Sequence, residues 1–183
     1  SEAAKYYQYC INQGFKDHRV FSNYGIILQS LKKFQEAEVS TRKAIEIKPD
    51  YAEAHSNLGN ILHDIGNLQE AEVSTRKAIK IKPDYAEAHS NLGIILKNLG
   101  NLQEAELSTR KAIELNPNFA DAHCNMGNIL NDLGKLKDAE LSYRKAIEIK
   151  PDYAEAHSNL GNILRELGKL EDAELATRKA IEL

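Results

Sequence analysis

The strongest constraint on the fold is a 34-residue repeat that runs through the whole chain. The segment from Pro49 to Gly59 (PDYAEAHSNLG) returns almost unchanged from Pro83, Pro117 and Pro151, and nine of the ten glycines occupy only two repeat positions. A fixed period of this length is typical of proteins in which neighbouring units bury one another's apolar faces. We therefore expect function to lie on a surface that the repeats share.

The period divides the chain into a single array spanning residues 1–183. Residues 1–17 are predicted to be the second helix of a truncated repeat, and residues 154–183 form a last repeat that stops just before its proline. The full repeats are 18–51, 52–85, 86–119 and 120–153. Because both ends fall inside a repeat, we expect the chain to be a fragment of a longer array.

Each repeat is predicted to contain two antiparallel helices. In residues 54–65 the apolar side chains recur at helical spacing, and Gly66 is suited to end that helix. Asp50 and Glu53 have capping-box spacing before the first helix, and Asn67 is placed to cap the second. No segment alternates as a strand would. The predicted fold class is all-α: a right-handed α-solenoid of antiparallel helix pairs with a 34-residue repeat.

Composition excludes several classes of function. The net charge is −3, so the basic surface expected of a nucleic-acid-binding protein is missing. No apolar run approaches the roughly 18 residues that a membrane span needs. The two cysteines, Cys10 and Cys124, are not closely spaced, which favours small buried or half-buried thiols in a reducing compartment. We expect a cytoplasmic protein without a cofactor and without a membrane or nucleic-acid partner.

With these features the chain resembles the tetratricopeptide repeat (TPR) family over essentially its whole length. The matching positions, and their equivalents in the other repeats, are Leu58-Gly59, Gly66, Ala71, Ala78 and Pro83. The family's usual tryptophan is replaced by Phe21, His55, His89, His123 and His157. Lys32 stands where later repeats have a glycine, so we expect strain at that turn.

The run AEAHSNLGN is also similar to repeats in the superhelix of O-linked N-acetylglucosamine transferases and in bacterial arrays fused to transferase domains. In that family an asparagine ladder on the inner face holds the backbone of extended peptides. The equivalent ladder here is Asn23, Asn57, Asn91, Asn125 and Asn159. The resemblance says nothing about catalysis.

Apart from the family resemblance, the side-chain chemistry of the ladder asparagines also favours this inner face as the candidate binding site. An asparagine amide both donates and accepts, which suits a peptide bond of any sequence. Stacked helices lie about 8–10 Å apart and an extended peptide advances about 3.3 Å per residue, so one asparagine meets roughly every third peptide unit. The further polar side chains that we assign to this peptide-binding concave face are Asn60, Asn128, Asn162, Glu53 and Glu87. The alternative is that each asparagine bonds to the neighbouring helix and sets the superhelical twist.

TPR domains that grip a C-terminal carboxylate carry lysine and arginine in the groove, and the corresponding positions here are Ser22, Ser56, Ser90, Cys124 and Ser158, so we do not expect an acidic C-terminal tail as the ligand. Two other columns of residues are assigned to structure rather than to ligand binding. The histidine column replaces an aromatic packing residue, so packing is favoured over zinc. Arg42 and its equivalents each follow a glutamate by four residues, which predicts a solvated, self-neutralised face rather than a nucleic-acid surface. No nucleophile–base pair, paired acid site or phosphate-binding loop is present, and we predict no enzyme activity.

These observations predict a non-catalytic protein-interaction scaffold whose concave face binds an extended polypeptide. Two alternatives remain. One is a substrate-recruiting or spacer arm of a transferase whose catalytic domain is not in this chain. The other is a self-assembling module, because apolar residues at the ends, such as Ile181 and Leu183, allow identical units to associate end to end.

Overall fold

The structure, a computed structural model, describes residues 2–183 and contains eleven α-helices and no strand in that range. The helices are α1 Glu2–Asn12, α2 His18–Ser30, α3 Phe34–Ile47, α4 Ala52–Ile65, α5 Leu68–Ile81, α6 Ala86–Asn98, α7 Leu102–Leu115, α8 Ala120–Asp132, α9 Leu136–Ile149, α10 Ala154–Glu166 and α11 Leu170–Glu182. The predicted all-α fold of helix pairs is confirmed, and Ser1, the first residue of the predicted truncated repeat, lies outside the described range. No helix in that range is both long enough and apolar enough to cross a bilayer.

The helices fall into two compact units, up to Asn91 and from Leu92 onward, with the boundary inside α6. In the first unit α2 packs against α3, α4 against α5, and α3 against α4. In the second unit α8 packs against α9, α10 against α11, and α9 against α10. Each unit is therefore a stack of helix pairs, as the 34-residue period predicts.

The two helices of a pair approach closely at a glycine on the first helix. A Cβ atom added to Gly59 would clash with Thr75 Oγ1 and would lie 3.2 Å from the carbonyl oxygen of Ala71. Ala71 and Thr75 have no exposed surface. The small residues at these positions therefore set the close spacing of the pair, and a side chain in place of the glycine would force the helices apart.

Most first helices end in a left-handed turn. Gly66 has a φ of 89°, and its N–H donates to the carbonyl of His63 while the N–H of Asn67 donates to that of Leu62. This is the pattern by which a glycine closes a helix. Lys32 takes the same place after α2 with a φ of 59°, the one positive φ among the described non-glycine residues. The strain predicted at Lys32 is therefore present.

The predicted helix caps are wrong in detail. The residue before α4 is Tyr51, not Asp50, so Asp50 lies in the preceding turn and makes no capping-box bond with Glu53. Asn67 does precede α5, but its side chain accepts no bond from the helix N-terminus and instead donates to Glu70 at 2.9 Å. The backbone carbonyls of Tyr51 and Asn67 accept from the first turns instead.

First helices lie closer to one another than second helices do. In the first unit α2 contacts α4, and in the second unit α8 contacts α10. Within the described residues, α3 and α5, or α9 and α11, make no comparable contact. We call the surface formed by α2, α4 and the start of α6, and separately by α8 and α10, the first-helix face of each unit.

Candidate functional site

In the first unit the ladder asparagines hydrogen-bond to the preceding repeat. Asn57 Nδ2 donates to Ser22 Oγ at 3.2 Å, and Asn91 Nδ2 donates to Ser56 Oγ at 3.2 Å. Both asparagines are half-buried. Each bond uses one of the two N–H groups of the amide, so the other N–H and the carbonyl oxygen keep their bonding capacity.

The same unit contains Asn23, which is exposed and whose Nδ2 donates to the hydroxyl of Tyr7 at 3.3 Å. Asn23, Asn57 and Asn91 thus lie on three successive first helices, α2, α4 and α6. The structure brings these three predicted site residues to the first-helix face. It also shows the inter-repeat bond that the structural alternative requires.

Three of the four serines predicted to line the groove lie elsewhere, whereas Ser158 on α10 is exposed. Ser22, Ser56 and Ser90 are each 1% exposed, so they are buried beneath the asparagines rather than lining a groove. A buried hydroxyl needs a hydrogen-bond partner, and for Ser22 and Ser56 the ladder asparagine of the next repeat supplies it. The sequence indicates this burial, since a small residue directly precedes every ladder asparagine.

The second unit departs from this pattern. Cys124 replaces the serine, is fully buried, and has a thiol pKa raised to about 12 by burial. Asn159 Nδ2 donates instead to Asn128 Oδ1 at 3.0 Å. The same Oδ1 accepts from the hydroxyl of Tyr143 at 2.7 Å. Asn125, one turn before Asn128 on α8, is half-buried.

The remaining predicted site residues lie on the same helices as the ladder. Glu53 and Asn60 on α4 are half-buried, and Glu87 on α6 is exposed. Asn162 on α10 is exposed and accepts from Arg165 at 2.5 Å. Within residues 2–183, neither Glu53 nor Glu87 forms an ion pair. Nearby Tyr85 has a pKa raised mainly by burial.

The histidine column is part of the framework. His55 Nε2 lies 2.9 Å from the carbonyl oxygen of Pro49, six residues earlier, so the ring donates from Nε2. The equivalent contacts, all at 2.9–3.0 Å, are His89 to Pro83, His123 to Pro117 and His157 to Pro151. Each histidine thus ties the turn between repeats to the following helix. Within residues 2–183 no three potential ligands converge as a metal site would require.

The charged column on the second helices is self-neutralised, as predicted. Glu38 pairs with Arg42 at 2.9 Å, and the same i, i+4 pair recurs in each later repeat as Glu72–Arg76, Glu106–Arg110, Glu140–Arg144 and Glu174–Arg178. In the second unit the glutamate also pairs with a lysine of the next repeat. Lys169, for example, lies 2.7 Å from Glu140. Hydrogen bonds from Lys169 and then Arg144 lower the pKa of Glu140.

Comparison with known proteins agrees with the class that the fold defines, a helix-pair repeat scaffold. Family models described as TPR repeat and Tetratricopeptide repeat match residues 27–66, 59–100, 86–119, 109–140, 127–168 and 154–183. The chain belongs to the tetratricopeptide repeat family. No curated protein sequence matched the chain.

Solved structures of similar fold are also tetratricopeptide repeat proteins. MamA is 28% identical with a TM-score of 0.72, over 86% of this chain and 92% of MamA. YrrB, described as a TPR protein with an unusual peptide-binding site, is 25% identical with a TM-score of 0.67, over 98% of this chain and 92% of YrrB. A thermophilic TPR protein from Thermus thermophilus, TTC0263, shares the fold at 23% identity and a TM-score of 0.80, over 90% of each chain.

Proposed function

We propose that this chain is a non-catalytic scaffold whose first-helix face binds a protein segment in extended conformation through the ladder asparagines. The observation that supports this most directly is the state of Asn57 and Asn91. Each amide is anchored to the preceding repeat through one N–H and is still half-exposed. An amide held in this way is oriented before a ligand arrives, which reduces the entropy lost on binding.

The spacing and chemistry of the ladder fit a polypeptide backbone. Neighbouring stacked helices lie about 8–10 Å apart, close to the length of three extended residues. The carbonyl oxygen of Asn57 or Asn91 can accept from a peptide N–H, and the second N–H of the same amide can donate to a peptide carbonyl. Each net hydrogen bond contributes about 1 kcal/mol, so a few of them give weak, sequence-tolerant binding. Side chains such as Glu53 and Glu87 then supply selectivity.

Membership of the family supports a protein partner, since tetratricopeptide repeats are interaction modules and YrrB is described as having a peptide-binding site. The two free, buried cysteines, Cys10 and Cys124, agree with a reducing, cytoplasmic setting. We propose that residues 1–183 act as one array. The same array would also serve as the recruiting arm of a larger transferase.

Binding to a pool of peptides tests the proposal. The probe is a set of N-acetylated, C-amidated dodecapeptides of random sequence, titrated to millimolar concentration into ¹⁵N-labelled protein. The side-chain amide signals of Asn57 and Asn91 should shift together, while that of the exposed turn residue Asn118 stays in place. Absence of any shift, or equal shifts at Asn118, contradicts backbone binding at the ladder.

Association between copies is a second candidate function, favoured by one observation. On α9, Leu136 and Ile147 are partly buried and pack against the core that α10 and α11 help to form. On α11 the residues at the same repeat positions, Leu170 and Ile181, are 67% and 81% exposed. A helix pair from a second copy would cover them. Light scattering over a concentration series should show a rising mass, and a constant monomer mass contradicts this candidate.

A further inference from the structure

Tyr143 is a large side chain at a position where four other repeats have a small one, and Tyr7 of the truncated first repeat is the other tyrosine at this position. Thr41, Thr75, Thr109 and Thr177 stand at the equivalent positions. The Tyr143 ring is 2% exposed and packs directly against Gly127, where an added Cβ would lie 2.5 Å from Cε1. The ring therefore crosses the helix pair from α9, and its hydroxyl reaches Asn128 on α8.

The hydroxyl of Tyr143 donates to Asn128 Oδ1, and burial raises its pKa, so the proton stays on the hydroxyl at ordinary pH. It shares Asn128 Oδ1 with the Nδ2 of Asn159, so one oxygen accepts two hydrogen bonds, at 2.7 Å and 3.0 Å. An amide oxygen has two lone pairs, and both are used here. What Asn128 retains for a ligand is its NH2 group.

Resting on the proposed function, we propose that Tyr143 is a positioning residue that fixes Asn128 as a donor-only contact. The NH2 group of Asn128 then binds a backbone carbonyl of the extended polypeptide in the second unit. Asn57 and Asn91 differ, since each keeps both a donor and an acceptor. A position that accepts only a carbonyl restricts which peptide unit can lie beside α8, and so sets the register of the bound segment.

The contrast with the second repeat supports a specific role for the tyrosine. Asn60 holds the position of Asn128 there, and Thr75 holds the position of Tyr143. The hydroxyl of Thr75 donates to the carbonyl of Ala71 at 2.8 Å. The hydroxyl of Thr75 is therefore engaged within its own helix. Thr75 and Asn60 provide a matched control for Tyr143 and Asn128.

The test is a double-mutant cycle with the random dodecapeptide pool as the probe. Tyr143→Phe keeps the buried ring and removes the hydroxyl, and Asn128→Ala removes the amide on the surface. Each should weaken binding about threefold to tenfold, the effect of one lost hydrogen bond, and the double variant should be no weaker than Asn128→Ala alone. Thr75→Val should leave binding unchanged. Circular dichroism establishes that each variant is folded.

An NMR signal separates positioning from general stability. On adding the pool, the side-chain NH2 signals of Asn128 should shift in the parent protein and not in Tyr143→Phe. If the parent binds and Tyr143→Phe binds equally well, or if the two substitutions are additive, the inference is wrong while the ladder proposal stands. If the parent binds no peptide and no ladder amide shifts, both are wrong.

Discussion

The side-chain nitrogen of Asn57 lies 3.2 Å from the hydroxyl of Ser22, a buried residue on the first helix of the preceding repeat. The asparagine thus satisfies a hydroxyl that would otherwise be buried without a partner, at the boundary between two repeats. The rest of the same amide is on the first-helix face. In the proposed function this structural role is combined with a binding role in one side chain, and the two can be separated by mutation.

A side chain at Gly93 should destabilise the second unit. In Gly93→Ala the new Cβ would clash with Thr109 Oγ1 and lie 3.3 Å from the carbonyl oxygen of Ala105. We expect the free energy of unfolding to fall by about 1–3 kcal/mol in urea denaturation. Because Thr109 Oγ1 is buried and has no partner in the described residues, adding Thr109→Ala should restore part of the loss. An unchanged midpoint for Gly93→Ala would show that the helix pair is not held at this spacing.

Replacing Lys32 with glycine should stabilise the first unit. Lys32 has a φ of 59°, a conformation that costs a residue with a Cβ about 1–2 kcal/mol. Glycine removes that cost but loses more entropy on folding, so we expect a net gain of about 0.5–1 kcal/mol in thermal unfolding. The control is Lys33→Gly, because Lys33 has a φ of −92° and gains nothing from glycine. Equal effects of the two substitutions would contradict the strain.

Glu140 should contribute stability that depends on pH. Its side chain is 9% exposed and bonds to Lys169 at 2.7 Å and Arg144 at 3.1 Å, which holds its pKa below the usual 4.5. A carboxyl with a lowered folded-state pKa stabilises the protein above pH 4.5, and the contribution is lost as the pH falls through the folded pKa. Glu140→Gln should therefore cost about 1 kcal/mol at about pH 7 and progressively less as the pH falls through the folded pKa of Glu140.

Glu174 gives the matched control for that experiment. It makes the same i, i+4 pair, with Arg178 at 2.8 Å, but its side chain is 71% exposed and no lysine from a further repeat reaches it in the described structure. Glu174→Gln should change the free energy of unfolding little across the same pH range. A pH-independent loss in Glu140→Gln would show that packing, rather than charge, is responsible.

Most of the fold could be predicted from the 34-residue repeat period of the sequence alone. Prolines, glycines and small residues recur at fixed positions, so the helix pairs, the left-handed turn at Gly66 and the strain at Lys32 could all be predicted. The helix caps could not. For α4, spacing alone does not tell which residue takes the non-helical backbone conformation before the first turn, and Tyr51 takes it instead of Asp50. Asn67 does take that position before α5, but its side chain bonds to Glu70 instead of to the helix N-terminus.

The candidate site was predictable only in part. A polar column on the first helices was evident, but whether its amides face a neighbour or a ligand depends on side-chain geometry that periodicity does not contain. Burial of Ser22 and Ser56 was therefore missed, and so was the contact from Tyr143 to Asn128. Both features arise between side chains on different helices, and such contacts are not contained in the periodicity of the sequence.

The most direct test of the central claim compares two double variants for binding of the random dodecapeptide pool. Asn57→Ala with Asn91→Ala removes the ladder amides, whereas Ser22→Ala with Ser56→Ala removes only their inter-repeat partners. Circular dichroism and urea unfolding first establish that both variants are folded. The account predicts that the asparagine variant loses peptide binding by about tenfold or more and that the serine variant retains most of it. Equal binding by the two variants would show that the asparagines hold the repeats together and do not hold a peptide.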